Sequence, residues 1–111
     1  DERVIGDVAL QDIDWPNRSC SLGLGIARLE LRGQGYGSEA VHLMLQYGFN
    51  HLGMERVTAS TLEKNVAAQK SLEKTGFSLE GRDRKACFFA GCRWDRLRYG
   101  ILAEEHSRHR K

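Results

Sequence analysis

A glycine-rich segment, RGQGYG at residues 32–37, separates an extended run of residues from an apolar-periodic helix. Before it, CSLGLGIAR places Leu22, Leu24 and Ile26 on one side of an extended chain and small residues on the other. After it, apolar residues recur at helical spacing over residues 38–52. The chain is therefore restricted to folds in which a strand enters a helix N-terminus through glycines, where unpaired backbone N–H groups attract anions.

Local signals at the ends of two apolar-periodic segments predict two helices. The first runs over residues 38–52, with Ser38 as its N-cap, Gly53 in the left-handed position after its last turn and Met54 folding back on that turn. The second lies in NVAAQKSLEKTGF, where Asn65 is the N-cap and Gly76 ends the helix.

The remaining segments are rich in β-forming residues. One strand begins at Arg3 in RVIGDVALQDIDW, a short strand lies in ERVTAST, and two strands close the chain in FSLEGRDRKACFF and CRWDRLRYGIL, joined through Ala90 and Gly91. The charged tail at residues 106–111 is expected to fray. The element order is then β-β-α-β-α-β-β in a single α/β domain over residues 1–111, with a mixed sheet that is partly parallel in its middle.

Composition excludes several classes of function. The 111 residues allow one core, and a net charge of +2 with Asp83 and Asp95 interspersed among the closing arginines argues against a nucleic-acid binder. No stretch reaches the roughly 20 apolar residues needed to span a membrane. Cys20, Cys87 and Cys92 are odd in number and lack a C-x-x-C spacing, which argues against a disulfide framework and zinc and favours a reducing cytoplasm. A disulfide between Cys87 and Cys92 is the alternative.

The spacing of the glycines distinguishes among phosphate-binding loops. A dinucleotide fingerprint would need glycine at residue 38, which is serine, and no P-loop occurs. What remains is R-x-x-G-x-G at Arg32, Gly35 and Gly37, which resembles the pyrophosphate-binding motif of the GNAT acetyltransferases. A tight turn that only caps the helix is the alternative interpretation.

Two further segments carry the same resemblance. The helix NVAAQKSLEKTGF is similar to the second signature of the superfamily, and GRDRKACFFAGCRWDRLRYGILAEE resembles the closing hairpin of the branch of ribosomal-protein N-terminal acetyltransferases. The resemblance runs from about Val4 to Glu105. It implies a GNAT fold and transfer of acetyl from acetyl-CoA to a primary amine, either a protein N-terminus or a small amine. A non-catalytic, CoA-binding or oligomeric form of the fold is the alternative.

The resemblance also implies where the cosubstrate lies. Acetyl-CoA would occupy a V-shaped gap between the strands LGLGIAR and RVTAST, with its pyrophosphate on the glycine loop and its thioester carbonyl polarised by a backbone N–H within residues 26–28. Alternatively, Asn65 only caps its helix, Lys74 is a surface lysine and Tyr36 is a packing anchor. The residues expected to bind the cofactor are Ile26, Ala27, Arg28, Arg32, Gly33, Gln34, Gly35, Tyr36, Gly37, Ser38, Asn65 and Lys74.

The catalytic groups depart from the family pattern. Leu72 stands where many relatives carry a tyrosine that protonates the departing thiolate, and Ala68 stands where some relatives carry a serine. Ser71 is a substitute candidate, with a helix-surface hydroxyl as the alternative. Asp95 matches an acidic position of the branch, but its arginine neighbours in R-W-D-R also suit a structural ion pair. His42 is expected to be a packing histidine, and no metal site is predicted.

The family pattern also includes a part of the fold that precedes this sequence. Relatives normally begin with a strand, one or two helices and another strand, which form a wall of the acceptor pocket. We therefore expect a natural truncation, a piece of a longer chain or completion by a partner. An exposed sheet edge would favour a homodimer.

Overall fold

The computed structural model describes residues 3–5, 8–24 and 36–109. Six strands form one sheet in the order β1-β2-β3-β4-β6-β5, in which β3 and β4 pair parallel and the other neighbours pair antiparallel. This mixed α/β architecture confirms the predicted fold class and the parallel pairing in the middle of the sheet. The elements are β1 (Arg3–Ile5), β2 (Val8–Asp14), β3 (Ser19–Leu24), α1 (Tyr36–Gln46), a π-helical turn (Tyr47–His51), β4 (Arg56–Leu62), α2 (Val66–Lys74), β5 (Ser78–Phe89), β6 (Cys92–Leu102) and α3 (Ala103–His109).

One face of the sheet packs against both α1 and α2. Cys20 pairs with Val57 and Leu22 pairs with Ala59, so these four side chains point to the same side, as the alternation along a strand requires. The core formed there is the main source of stability, since apolar burial dominates the favourable free energy of folding. Its buried residues are Leu10, Cys20, Leu22, Val41, Met44, Leu45, Met54, Val57, Ala59, Leu72, Phe77, Leu97, Tyr99 and Ile101.

The first helix begins earlier than its sequence signals predict. Because α1 starts at Tyr36, Ser38 lies inside it, and the prediction that Ser38 is the N-cap is wrong. Glycine permits both loop and helical conformations, so Gly37 sets no boundary and the helix begins inside the glycine-rich segment. The other end is confirmed, since Gly53 has a φ of 75° and the Met54 N–H donates to the Gly48 carbonyl at 2.9 Å.

The second helix matches its prediction at both ends. The Asn65 side chain accepts a hydrogen bond from the backbone N–H of Ala68 at 3.1 Å, which is the N-cap bond. At the other end, Gly76 has a φ of 107°, which only glycine adopts easily.

The start of the chain forms two strands, where one was predicted. In the antiparallel pair β1–β2, Ile5 lies opposite Val8, so the chain reverses between them. Gly6 and Asp7, which lie between these residues, are both turn-forming types. The apolar pattern continues across this pair, and that continuity made the segment look like a single strand.

The end of the chain is helical where fraying was expected. Within the predicted tail, residues 106–109 belong to α3, while residues 110–111 lie outside the described part of the chain. The Glu105 carboxylate accepts the backbone N–H of Leu102 at 3.0 Å and so caps the helix. His106 is buried, with its ring 5.3 Å from that of His42, so the tail is attached to the core.

The closing hairpin turns through Ala90 and Gly91, with φ values of 54° and 79°, as a two-residue type I′ turn requires. Cys87 and Cys92 do not lie opposite each other in its register, and all three cysteines are free thiols. The alternative of a disulfide between them is therefore wrong.

No helix in the described ranges is long and apolar enough to cross a membrane.

Candidate functional site

The parallel seam between β3 and β4 ends before its two strands do. Its last paired residues are Leu22 and Ala59, whereas β3 continues to Leu24 and β4 to Leu62. Beyond Ala59, β4 stays paired with β6 alone among the described strands. Among the described residues, nothing pairs with this edge of β4 beyond Ala59, and an extended ligand can hydrogen-bond there in the manner of an added strand.

The N-termini of α1 and α2 lie at the C-terminal ends of β3 and β4, where the parallel pairing of these strands stops. Asn65 directly precedes α2 and follows the carboxyl end of β4. The chain that follows α1 returns to the N-terminal ends of these strands. There the Arg18 side chain, just before β3, donates to the Gly53 carbonyl at 3.0 Å. The structure thus brings Asn65 and residues 36–38 to the open end of the seam, where helix N-termini favour anionic groups.

Most of the residues predicted to bind the cofactor belong to the segment between β3 and α1. Ile26, Ala27, Arg28, Arg32, Gly33, Gln34 and Gly35 lie outside the described residues. Tyr36, Gly37 and Ser38 form the first turn of α1, and Lys74 is exposed in the last turn of α2. These assignments stay predictions.

The N-terminus of α2 is fixed against β6 through Glu63. The Glu63 N–H donates to the carbonyl of Asp95 at 3.0 Å, and the Asp95 N–H donates to a carboxylate oxygen of Glu63 at 2.6 Å. The Gln69 side chain also donates to the Glu63 carbonyl at 2.8 Å. The loop that precedes Asn65 is therefore held from both sides.

Asp95 accepts hydrogen bonds that suit a structural role. Its carboxylate accepts the backbone N–H of Lys85 at 2.8 Å and the Arg82 Nε–H at 2.6 Å. These bonds, the one from Lys85 first, lower the pKa of Asp95 below its usual range. The geometry favours the ion-pair interpretation over a general base. Its partner is Arg82 of the neighbouring strand, whereas the flanking Arg93 and Arg96 bind other groups.

The positions of α2 that the sequence singles out for a proton donor are buried. Leu72 and Ala68 are core residues, 0% and 2% exposed. Ser71 is 7% exposed, so the alternative that it is a helix-surface hydroxyl is wrong. The Thr75 hydroxyl donates to the carbonyls of Ser71 and Leu72, both at 3.0 Å, which satisfies the end of the helix.

The face of the sheet opposite the helices carries a polar trough with a volume of about 350 Å³. Its floor follows the seam, where the hydroxyls of Ser21 and Thr58 lie 3.3 Å apart. Gln11 forms one side, because a Cβ placed on Gly23 would lie 2.8 Å from the Gln11 side-chain oxygen. Ser60, just beyond the last pair of the seam, also lines the trough. The trough and the open end of the seam therefore meet.

Charged side chains form the other side of the trough. Arg56 binds the Glu80 carboxylate through two hydrogen bonds of 2.9 and 2.6 Å, and these lower the pKa of Glu80. Arg96 and Arg98 both bind Asp83, each through Nε, at 3.1 and 3.2 Å. Two of these side chains lie flat on glycines, because a Cβ on Gly100 would meet Glu80 and a Cβ on Gly81 would meet Arg98.

Sequence reasoning missed the trough. Its local signal is alternation, because Arg56, Thr58 and Ser60 fall at every second position of β4 and Arg96 and Arg98 do so in β6. The register that brings these rows together depends on pairings between distant strands. Among the described residues, no group of three or more His, Cys, Asp or Glu side chains is placed to hold a metal ion.

Comparison with known proteins gives one family model and several relatives. The model of the acetyltransferase (GNAT) domain matches residues 1–78, more than half of the chain. The chain is 35% identical over 86 residues to YjcK of Bacillus subtilis, named a probable N-acetyltransferase, with 77% of this chain and 47% of YjcK covered. It is 29% identical over 105 residues to YdaF of the same organism, provisionally named a ribosomal N-acetyltransferase, with 95% and 57% covered. The chain thus spans about half the length of the curated relatives it matches.

Solved structures with the same fold include two acetyltransferases. Spermidine N-acetyltransferase from Vibrio cholerae, in complex with CoA and spermine, superposes with a TM-score of 0.81 at 27% identity, covering 90% of this chain and 59% of that one. A probable acetyltransferase superposes with a TM-score of 0.79 at 28% identity, covering 88% and 55%.

Proposed function

The chain belongs to the GNAT family of acetyltransferase domains, and from that premise we propose that it transfers acetyl from acetyl-CoA to a primary amine. The observation that carries this proposal is the seam between β3 and β4, which ends at Leu22 and Ala59 while both strands run on. The N-termini of two helices lie at the same edge. An extended cosubstrate with an anionic end fits this arrangement.

The described residues support binding of the cosubstrate more fully than chemistry on it. The Asn65 side chain uses Oδ1 for the helix cap, which leaves its Nδ2 amide without a hydrogen bond among the described residues and able to donate to an amide carbonyl of the pantetheine arm. The glycine loop and Arg32 would hold the pyrophosphate. We propose that the thioester carbonyl meets a backbone donor within residues 26–28, where oxyanion stabilisation is typically worth about 2.7–4 kcal/mol.

In the reaction itself, the amine nitrogen attacks the thioester carbonyl, the carbon–sulfur bond breaks, and the proton lost by the amine balances the one gained by the thiolate. With Leu72 in the core and Asp95 in an ion pair, we propose that water carries both protons. General acid–base groups typically contribute about 10² to 10⁴-fold, so transfer without them is slow but measurable.

Calorimetry with acetyl-CoA followed by a thiol-release assay tests the proposal. We expect binding, and then release of CoA thiol with at least one amine from a panel of N-terminal peptides, amino acids and polyamines. Absence of heat at high micromolar acetyl-CoA would contradict the proposal at its first step.

The burial of Leu72 and the bonds of Asp95 favour a second candidate, a CoA-binding domain without catalysis. The same two measurements separate the candidates. Binding of acetyl-CoA with no thiol release from any amine supports the second, and release above the rate without protein supports the first.

We also propose that the chain pairs with a second copy through an edge of its sheet. In the described sheet, β1 and β5 are the edge strands, and unpaired strand edges tend to pair with other chains. Light scattering after gel filtration would give twice the monomer mass, and a monomer at all concentrations would contradict the pairing.

The three free thiols fit the proposal of a reducing cytoplasm, which localisation of a tagged chain tests.

A further inference from the structure

We propose that the acceptor amine carries a carboxylate, which Arg96 and Arg98 bind at the side of the trough. This inference rests on the proposed acetyl transfer and specifies its substrate class. It is drawn from the hydrogen bonds, the positions and the charges of the two arginines.

The two guanidinium groups have unused donors. Both bind Asp83 through Nε, and their terminal nitrogens make no hydrogen bond within the part of the chain that the structure describes. The side chains are 45% and 50% exposed, and both line the trough. A guanidinium with free terminal N–H groups binds a carboxylate through two parallel hydrogen bonds, so the pair forms a ready site for one.

The position of Arg98 relative to the seam sets the size of the acceptor. Arg98 lies directly opposite Ser60 in the pairing of β4 with β6, and Ser60 follows the last paired residue of the seam. The Arg98 guanidinium lies over Gly81 of β5, on the far side of β6 from Ser60, so two strand spacings of about 4.8 Å each separate it from β4. An amine at the open end of the seam and a carboxylate on Arg98 are therefore separated by the length of an amino acid or of the first residues of a peptide.

The two sides of the trough carry opposite charge, which also favours an acceptor with a carboxylate at one end. Arg56 is neutralised by Glu80, and the two guanidinium groups of Arg96 and Arg98 share the single carboxylate of Asp83. That side is left positive, while Asp12 lines the trough on the side of Gln11. An ammonium near Asp12 and a carboxylate near the arginines is the favoured orientation, and a polycation such as spermidine would place positive charge against two arginines.

Paired acceptors test the inference on the full chain. We compare kcat/KM for thiol release with Ala-Asp-Asp and Ala-Lys-Lys peptides, with glutamate and its diamide, and with spermidine. The acidic member of each pair is expected to be at least about tenfold better, in line with hydrogen bonds between charged groups. The peptide and amino-acid pairs distinguish the two sources of the carboxylate. Equal rates within both pairs, or a preference for lysine peptides or spermidine, would overturn the inference.

Variants identify the residues responsible. The R96Q/R98Q double variant is expected to lose the preference for acidic acceptors, and Arg98→Lys, which keeps the charge without the fork, is expected to retain part of it. Arg93→Gln is the matched control, because Arg93 donates to the Lys85 carbonyl in the hairpin and does not line the trough. Circular dichroism and acetyl-CoA affinity confirm that each variant is folded. A double variant that is folded and keeps the full preference would contradict the assignment.

A binding measurement separates failure of this inference from failure of the proposed transfer. The acetylated Ala-Asp-Asp peptide, a product analogue, is titrated into the chain with CoA present and followed by calorimetry. If no amine is acetylated, the transfer proposal fails, whereas binding that is lost in R96Q/R98Q still supports the anionic site. If amines are acetylated but the acidic product does not bind more tightly than its lysine counterpart, the inference fails and the transfer stands.

Discussion

Glu63 and Asp95 exchange two hydrogen bonds between the end of β4 and the middle of β6, at 3.0 and 2.6 Å. Because Glu63 also accepts a hydrogen bond from Arg82 at 3.1 Å, one carboxylate joins the hairpin to the loop before Asn65. The position of the α2 N-terminus therefore depends on residues of the hairpin that are distant in sequence.

Replacing Glu63 should loosen this junction. We expect Glu63→Ala to lower the free energy of unfolding by about 1 kcal/mol, less than is typical of buried hydrogen bonds to charged groups, since the side chain is partly exposed. Urea denaturation measures this change. Glu55→Ala, at an exposed carboxylate, is the control and should change stability by less than about 0.5 kcal/mol. Equal losses of stability in the two variants would contradict the claim that Glu63 joins the hairpin to the loop before Asn65.

Asn65 allows its two roles to be separated. Asn65→Ala should cost about 1 kcal/mol through loss of the cap, and Asn65→Ser should keep most of the stability because serine also caps helices. If the amide also binds the pantetheine arm, both variants will bind acetyl-CoA more weakly by calorimetry. Normal affinity in the serine variant would show that Asn65 is a cap alone.

Leu72 is expected to behave as a core residue. Leu72→Ala should destabilise the protein by about 2–5 kcal/mol, because the side chain is 0% exposed and its removal leaves a cavity. Leu79→Ala, at a residue 55% exposed, is the matched control and should change stability little. The measurement is thermal or denaturant unfolding, and a small loss at residue 72 would contradict the packing.

Stability should fall in acid. The pKa of Glu80 is lowered by its hydrogen bonds to Arg56, and that of Asp83 by Arg96 and then Arg98. A carboxyl whose pKa is lower in the folded state stabilises above its unfolded pKa and loses that contribution as pH falls through the folded value. The contribution of these two carboxyl groups to the free energy of unfolding should be fully present above about pH 5 and fall below about pH 4.

Substitution and salt check the cause of that acid sensitivity. Glu80→Gln should make the fall between about pH 4 and 3 shallower than in the unchanged chain, while Glu104→Gln, at an exposed position of α3, should not. Because these ion pairs are largely exposed, high salt should also reduce the loss of stability in acid. An identical fall in Glu80→Gln would mean that other groups cause it.

Sequence signals were sufficient where the structure is determined locally. The second helix was predicted at both ends, because Asn65 and Gly76 act on residues within a turn of themselves. The two-residue turn at Ala90 and Gly91 was placed for the same reason. The start of the first helix was misplaced, because glycine permits both loop and helix and gives no boundary.

The trough could not be predicted, because it depends on register across strands. Register shifts affect the alignment of its rows, one in the pairing of β2 with β3 and two in the pairing of β5 with β6. Asp12 and Lys85, which lie within two of these three shifts, both have a φ of 53°. Left-handed conformations at residues other than glycine have no clear sequence signal. Residues 26–28 and 32–35, which include most of the predicted cofactor contacts, lie outside the described residues, and those contacts stay predictions.

The connectivity of the sheet also implies an order of assembly. The hairpin of β5 and β6 closes through two residues, whereas the seam can form only after the chain from Leu22 to Ala59 has been brought together. Because closing a longer loop costs more entropy, the hairpin should be protected early and the seam late in pulse-labelled hydrogen exchange during refolding. The surfaces proposed to hold the cosubstrate and the amine would then be the last to form, and acetyl-CoA should speed no step before that one.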